Sequence, residues 1–290
     1  MTEGEAAPAA VAEQGSRNLL MRIIAALVLA PIAVVIAYAG GWLWTASLTM
    51  VAIGLYIEWL MVVGLAGERR AAVGGAVALA IAGACLMLGR IEAAWIVLAV
   101  GLVAVAILSS RLRGWSAAGF VYAAAAQMAS VVLRLDAEIG FAALVFVFLI
   151  VWVTDIGGYF AGRGIGGPKL WPRVSPKKTW AGAVGGFAGS LAVAAAFVAL
   201  APYRDAQLLA LRIGPLLGLG AVLSIVSQLG DLFESAVKRR FGVKDSSHLI
   251  PGHGGLMDRL DGFIAAMVVA AIVGVLRGGV DGAGRALMIW

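Results

Sequence analysis

Apolar runs long enough to cross a lipid bilayer recur along almost the whole chain. At 1.5 Å per residue, about 20 helical residues span a hydrocarbon core of about 30 Å. Of the 290 residues, 62% are hydrophobic and the mean hydropathy is +0.98, whereas a soluble domain is about 45–50% apolar. We therefore predict an all-α polytopic membrane bundle with about nine transmembrane helices, at residues 19–40, 43–66, 72–89, 93–109, 116–133, 139–160, 180–201, 207–229 and 259–277.

The distribution of Lys and Arg orients this predicted bundle. Nine spans place the termini on opposite sides of the membrane, and a cytoplasmic N-terminus puts 16 of the 22 basic residues in cytoplasmic segments, as the positive-inside rule requires. The polar loops at 161–179 and 230–258 are then both cytoplasmic. Residues 1–18 are predicted to be a disordered cytoplasmic tail, and residues 19–290 one integral membrane domain, because no repeat or linker divides them.

The first polar segment, residues 154–182, combines an acidic residue at membrane depth with glycines and lysines. An ionised Asp155 at that depth costs free energy unless it is paired with a cation, bound to a metal ion or hydrated. Six glycines lie within residues 157–167, and Lys177 and Lys178 come just before the next predicted helix. Backbone amides and ammonium groups together are typical of a phosphate site. The alternative is a flexible loop whose glycines serve helix packing and whose lysines only set the topology.

The second polar segment, residues 228–261, presents carboxylates in pairs. Asp231 and Glu234 are spaced i and i+3, as are Asp258 and Asp261, so each pair shares one face of a helix. Such oxygen ligands suit a hard cation such as Mg²⁺. The alternative is that the second pair caps the last helix or binds a neighbouring arginine. Positive charge suited to an anionic substrate lies alongside, at Lys238, Arg239, Arg240 and Lys244.

Both histidines, His248 and His253, also fall in the second segment. They make a poor structural zinc site because the only cysteine, Cys85, lies in an apolar run. A phosphate contact, a hydrogen bond within the turn or a proton relay suits them better. Glu58 lies inside the second predicted span, where it is either a functional residue or a hydrogen-bond partner of a neighbouring helix.

Together these residue types favour phosphoryl or nucleotidyl transfer, in which positioning and charge stabilisation carry most of the catalysis. The Walker pattern GxxxxGK[ST] is absent from the sequence, which disfavours a P-loop ATPase. Nucleic acid is disfavoured as a partner because the basic residues lie in short loops between apolar spans. The rival of another class is a lipid or ion transporter that uses the same carboxylates as a cation site.

The segment SAVKRRFGVKDSSHLIPGHGGLMDRLD, residues 235–261, resembles the signature of the phosphatidate cytidylyltransferases, also called CDP-diglyceride synthases. Its matching positions are Ser235, Lys238, Arg239, Lys244, Asp245, Ser247, Ile250, Pro251, His253, Gly254, Gly255, Leu256, Asp258, Arg259, Leu260 and Asp261. A second likeness, to the family's upstream motif, lies at Asp155, Tyr159, Gly162, Arg163 and SPKKTW (175–180), with Gly158 where alanine is expected. Glu58 and Trp59 resemble a Glu-Trp pair of the family's second span.

The resemblance implies that phosphatidic acid and CTP react to give CDP-diacylglycerol and pyrophosphate, a step of phospholipid biosynthesis. It implies one or two Mg²⁺ ions at Asp231 and Asp258, with Asp261 and Asp155 as further ligands or as groups that orient metal-bound water. We expect catalytic roles for Lys238, Arg239, Lys177, Ser235 and His253. We expect substrate binding by Ser175, Lys178, Lys244 and Arg259.

The expected location is the bacterial cytoplasmic (inner) membrane, with a multi-pass chain and an active site that faces the cytosol. The partners are CTP, phosphatidic acid and the lipid bilayer, without nucleic acid, and a homodimer is left open. A CDP-alcohol phosphotransferase is a rival among membrane enzymes, but its aspartate-rich pattern is not matched. An inactive member of the family is the third alternative, although every charged signature position is present.

The metal assignment predicts a specific result for His253→Ala. Turnover should fall while the metal requirement stays the same, because the imidazole serves the phosphates or the turn rather than the metal. Activity titrated against Mg²⁺, with metal content measured by mass spectrometry, checks this. A changed metal stoichiometry would revive the zinc hypothesis.

Overall fold

The computed structural model describes residues 30–200, 206–247 and 254–290. These residues form α-helices, one β-hairpin and a 3₁₀ turn at Ala206–Ala210. In chain order the elements are α1 (Ala30–Ala39), α2 (Gly41–Val62), α3 (Arg69–Met87), α4 (Ile91–Leu108), α5 (Arg113–Arg134), α6 (Gly140–Gly164), β1 (Lys169–Trp171), β2 (Ser175–Thr179), α7 (Trp180–Leu200), α8 (Ile213–Arg240), α9 (Met257–Gly278) and α10 (Ala283–Met288).

Eight of these helices, α2 to α9, are long and apolar enough to cross a membrane. The prediction of an all-α polytopic bundle is therefore confirmed, and the chain is an integral multi-pass membrane protein. Each of the eight corresponds to one predicted span. Most of the first predicted span, 19–40, and the whole tail, 1–18, lie outside the described residues. The count of nine and the cytoplasmic N-terminus stay predictions.

Helix α8 extends further than its apolar run, so the predicted loop at 230–258 is wrong in its first part. The helix continues to Arg240 because it becomes amphipathic: Leu232 and Val237 remain buried while polar residues share the other faces. It ends where Gly242 adopts a φ of 70°, a left-handed conformation that favours glycine. The four residues Asp231, Glu234, Ser235 and Lys238 thus stand on a rigid helix.

Of the predicted loop at 161–179, residues 161–164 are the end of α6 and residues 169–179 form a short antiparallel hairpin. Lys169 of β1 pairs with Thr179 of β2, and Trp171 pairs with Ser175. The amide of Trp180 donates to the carbonyl of Pro168 at 3.0 Å, which joins the hairpin to the start of α7. This pairing fixes the lysines of β2 relative to α6 and α7.

The hydrophobic core consists of two clusters, one centred on α2 to α5 and the other on α6, α8 and α9. Helix α7 lies against α6 through glycines on both helices. A Cβ on Gly182 would lie 2.8 Å from the carbonyl oxygen of Gly158, and one on Gly186 would lie 2.4 Å from that of Thr154. The glycines at the end of α6 therefore serve close helix packing, the alternative that the sequence left open.

This contact predicts that Gly186→Ala destabilises the protein by about 1–3 kcal/mol, because the added methyl group must displace backbone. Gly218→Ala is the matched control, since a Cβ on Gly218 has no atom within 4 Å apart from its immediate surroundings in the helix. That control should be neutral or stabilising by up to about 1 kcal/mol. Thermal unfolding in detergent compares the two, and equal melting temperatures would contradict the packing.

Candidate active site

A cavity of about 700 Å³ lies where the end of α6, the β-hairpin, the start of α7 and the middle of α8 meet. Each element contributes polar groups, and the hairpin contributes most of the positive charge. The lining residues are Thr154, Asp155, Gly158, Tyr159, Gly162, Arg163, Lys169, Leu170, Lys177, Lys178, Thr179, Gly182, Ala183, Gln228 and Asp231. The cavity therefore unites the first polar segment with the start of the second, as the sequence predicted for a common site.

Asp231 carries the main ion pair of this cavity. The Lys178 ammonium group contacts its Oδ2, and both side chains are about a quarter exposed. The hydroxyl of Ser235, one turn along α8, lies 3.4 Å from Oδ1. The hairpin lysine thus meets the helix aspartate across the cavity, and two residues that the sequence assigned separately belong to one site.

The charges of three carboxylates, Asp231, Asp155 and Asp261, interact with the Lys178 ammonium group, and Asp231 contacts it directly. The charges of Asp155 and Asp261 act on each other and on Asp231, and Lys178 offsets part of that repulsion. The cavity wall also holds Lys169, Lys177 and Arg163, so charges of both signs meet at this end of the helices. Carboxylate oxygens are the ligands that Mg²⁺ prefers, and the donor chemistry fits that ion. No three described His, Cys, Asp or Glu side chains lie close enough together to form a ready metal cage.

Asp258 lies in a different environment, at the start of α9. Its Oδ1 accepts a hydrogen bond from Lys238 at 2.5 Å. Its Oδ2 accepts from the amide and hydroxyl of Ser246 and from the amide of Gly255, each at 3.0 Å. Both carboxylate oxygens of Asp258 therefore already accept hydrogen bonds from groups of the protein. Whether Asp258 also binds metal stays a prediction.

Lys238 is held between two carboxylates rather than directed into the cavity. Besides Asp258, its Nζ lies 3.2 Å from Oε1 of Glu234, and its side chain is only 11% exposed. The Glu234 side chain is 2% exposed. This buried ion triad joins α8 to α9, so the structure gives the lysine a role in holding the two helices together.

The other predicted residues divide between the cavity and its surroundings. Lys177 lines the cavity, whereas Ser175 pairs with Trp171 at the turn of the hairpin. Arg239 donates from Nε to the Val174 carbonyl at 3.4 Å, which places it beside the hairpin. Lys244 and Arg259 are exposed, the latter in the first turn of α9. Both histidines lie outside the described residues.

Sequence reasoning missed two features of this site. Lys169 lines the cavity because the hairpin pairs it with Thr179, and nothing in a three-residue strand predicted that pairing. Gln228 also lines it, where its Nε2 lies 3.4 Å from the carbonyl oxygen of Ala183. Arg163 and Tyr159, which belong to the upstream motif, line the same cavity and bond to each other at 2.8 Å.

Glu58 is the residue whose role the sequence left undecided, and it reaches the second polar segment. Its carboxylate accepts hydrogen bonds from the hydroxyl of Ser247 at 2.5 Å and from the amides of Leu256 and Met257 at 2.8 and 2.7 Å. It therefore binds the start of α9 from α2, beside the environment of Asp258.

Comparison with known proteins gives one consistent family. Residues 20–276 match the Cytidylyltransferase family. The chain is 39% identical over 265 residues to the phosphatidate cytidylyltransferases of Brucella suis and Brucella melitensis, covering 89% of this chain and 94% of each relative. It is 43% identical over 130 residues to that of Staphylococcus aureus, covering 45% of this chain and 48% of the relative.

The buried triad predicts that Lys238→Met destabilises the protein by about 3 kcal/mol or more, since two carboxylates would lose their cation. Lys244→Met is the control, because the exposed Lys244 side chain should contribute less than about 0.5 kcal/mol. Chemical or thermal unfolding in detergent measures both variants. A Lys238→Met protein as stable as the control would contradict the structural role of the triad.

Proposed function

Since this chain belongs to the cytidylyltransferase family, we propose that the cavity between α6, the hairpin, α7 and α8 is its active site. The enzyme converts phosphatidic acid and CTP to CDP-diacylglycerol and pyrophosphate. The observation that carries the placement is the ion pair of Lys178 and Asp231 within a cavity whose wall also holds Lys177, Lys169 and Arg163.

The reaction requires that an anion attack an anion. A phosphate oxygen of phosphatidic acid forms a bond to the α-phosphorus of CTP, the bond from that phosphorus to the α–β bridging oxygen breaks, and pyrophosphate leaves. The attacking phosphate is already ionised at neutral pH, so no strong general base is needed. Positioning and charge neutralisation carry the catalysis, and the four basic side chains of the cavity supply both.

These basic side chains have distinct tasks in the proposal. Lys169, Lys177 and Arg163 line the cavity and bind the triphosphate of CTP. Lys178, paired with Asp231, neutralises the aspartate and orients it. Arg239 donates to the Val174 carbonyl in the hairpin turn, which keeps the hairpin in place over the cavity.

We propose that Asp231 holds Mg²⁺ together with Asp155 or Asp261, the carboxylates whose negative charges interact with its own. Asp258 remains a candidate ligand as the resemblance implies. The ion, one or two per chain, would neutralise charge on the CTP phosphates and the leaving pyrophosphate. What the protein supplies is a set of carboxylate oxygens, the ligand type that a hard cation such as Mg²⁺ prefers.

We propose further that the enzyme lies in the bacterial cytoplasmic (inner) membrane and that the cavity faces the cytosol. CTP then arrives from water while the acyl chains of phosphatidic acid remain between helices in the bilayer. Extraction of the lipid would cost about 0.8 kcal/mol for each methylene group removed from hydrocarbon. The cytosolic orientation rests on the charge distribution of the sequence. A homodimer stays a prediction.

The test is pyrophosphate release by the purified protein in lipid nanodiscs. Release should require CTP, phosphatidic acid and Mg²⁺ together. Asp231→Asn should reduce it at least 100-fold, because removal of the carboxylate leaves Lys178 without its partner and removes a metal ligand. Asp281→Asn, an exposed aspartate in the connection between α9 and α10, should retain full activity.

Two results would contradict this proposal. Near wild-type release by a folded Asp231→Asn protein would exclude the cavity as the site of metal-assisted transfer. Failure of the wild-type protein to consume CTP, combined with Mg²⁺ or lipid flux across a vesicle, would instead support the transporter.

A further inference from the structure

We propose that Glu58 is a positioning residue for cytidylyl transfer, which acts by fixing the entry segment of α9 (residues 254–257) against α2. The proposal rests on the proposed function, because the entry segment carries the backbone that binds Asp258. Glu58 is 0% exposed and lies almost 200 residues before its partners in the sequence. A carboxylate buried this completely is retained only where donors replace its water.

The donors that replace water come from both described ends of the α8–α9 connection. Ser247 donates its hydroxyl at 2.5 Å, and the amides of Leu256 and Met257 donate at 2.8 and 2.7 Å. Met257 is the first residue of α9, so these amides belong to the helix start, where backbone N–H groups have no partner within the helix. Glu58 satisfies them from another helix, and its charge is favourable at that terminus.

Gly255 shows how closely the entry segment is fitted to Glu58. A Cβ on Gly255 would lie 1.8 Å from the Ser246 hydroxyl and 2.9 Å from each carboxylate oxygen of Glu58. A side chain at this position would require the Ser246 hydroxyl and the Glu58 carboxylate to move. The glycine of the signature therefore has a steric reason in this chain: it allows the carboxylate to reach the amides beyond it.

The same residues connect Glu58 to Asp258. Ser246 and Gly255 donate their amides to Oδ2 of Asp258, each at 3.0 Å. The Ser246 hydroxyl lies 3.0 Å from that oxygen and 3.3 Å from Oε2 of Glu58, so its single proton serves one carboxylate at a time. A shift of the entry segment would therefore move the Gly255 amide relative to Asp258 and disturb the ion triad with Lys238.

Helix α2 provides a firm base for this contact through Trp59. Its Nε1 donates to the carbonyl of Trp115 in α5 at 2.8 Å. The centroid of its ring lies 6.3 Å from that of the Phe233 ring in α8, and the two rings are stacked. Gly119 leaves the space for this ring, since a Cβ there would lie 2.2 Å from Trp59 Cδ1. The neighbouring Glu58 thus belongs to a helix that is held on two sides.

Glu58→Gln tests the proposal because it preserves volume but replaces one acceptor oxygen by an NH₂ group that faces other donors. Two readouts are measured on protein in nanodiscs: amide hydrogen exchange of residues 254–260 by mass spectrometry, and pyrophosphate release titrated with Mg²⁺ and CTP. Glu92→Gln, at an exposed glutamate in the first turn of α4, is the matched control.

We expect exchange at residues 254–260 to accelerate at least tenfold in Glu58→Gln, while exchange in the hairpin, residues 169–179, stays within twofold. The kcat should fall at least tenfold and the Mg²⁺ concentration for half-maximal activity should rise at least threefold. The KM for CTP should change less than threefold, because Glu58 does not line the cavity. A smaller folded fraction alone would lower kcat without moving the Mg²⁺ requirement.

The proposal is overturned if exchange of the entry segment and the Mg²⁺ requirement both match those of Glu92→Gln. If Glu58→Gln does not fold, Ser247→Ala takes its place, since it removes one donor and keeps the carboxylate. That variant must accelerate exchange at residues 254–260, and unchanged exchange would overturn the proposal. If the wild-type protein releases no pyrophosphate, the proposed function fails. The exchange measurement still tests whether Glu58 holds the entry segment against α2.

Discussion

The structure depends on the fact that hydrocarbon does not solvate charge, so every ionised group within the bundle must find a partner in the protein. At one end of the helices this requirement is met by three separate arrangements. Asp231 pairs with Lys178, Lys238 lies between Glu234 and Asp258, and Glu58 binds the start of α9. Each arrangement joins separate elements of the fold, so these charges hold the helices and the hairpin together.

Two lysines of the polar segments, Lys178 and Lys238, lie in different environments despite their similar chemistry. Lys178 stands on a hairpin at the wall of a cavity, about a quarter exposed, and pairs with Asp231. Lys238 stands on α8 with 11% of its side chain exposed, between two carboxylates. The structure gives Lys238, which the sequence alone had grouped with the catalytic residues, a role in joining α8 to α9. Substrate binding by the hairpin lysines Lys169 and Lys177 stays our proposal.

Much of this arrangement could be predicted from the sequence, because apolar length determines a membrane span. Eight helices lie at the predicted positions, and the predicted residues Asp155, Lys177, Lys178 and Asp231 line one cavity. The continuation of α8 to Arg240 was missed, because the prediction ended the span at the last apolar residue. The helix itself continues into the polar residues that follow. The hairpin was missed because its strands are too short to show a period. The partners of Glu58 were missed because contacts between distant helices depend on packing that periodicity does not encode.

In the proposed mechanism, Asp231 and a neighbouring carboxylate bind the metal ion used in transfer. The most direct measurement is anomalous diffraction from crystals grown with Mn²⁺ and a non-hydrolysable CTP analogue, in which Mn²⁺ replaces Mg²⁺. We expect an anomalous peak within coordination distance of Asp231, with the analogue's phosphates beside Lys169 and Lys177. A peak elsewhere, with Lys178 still paired to Asp231 and no analogue in the cavity, would contradict it.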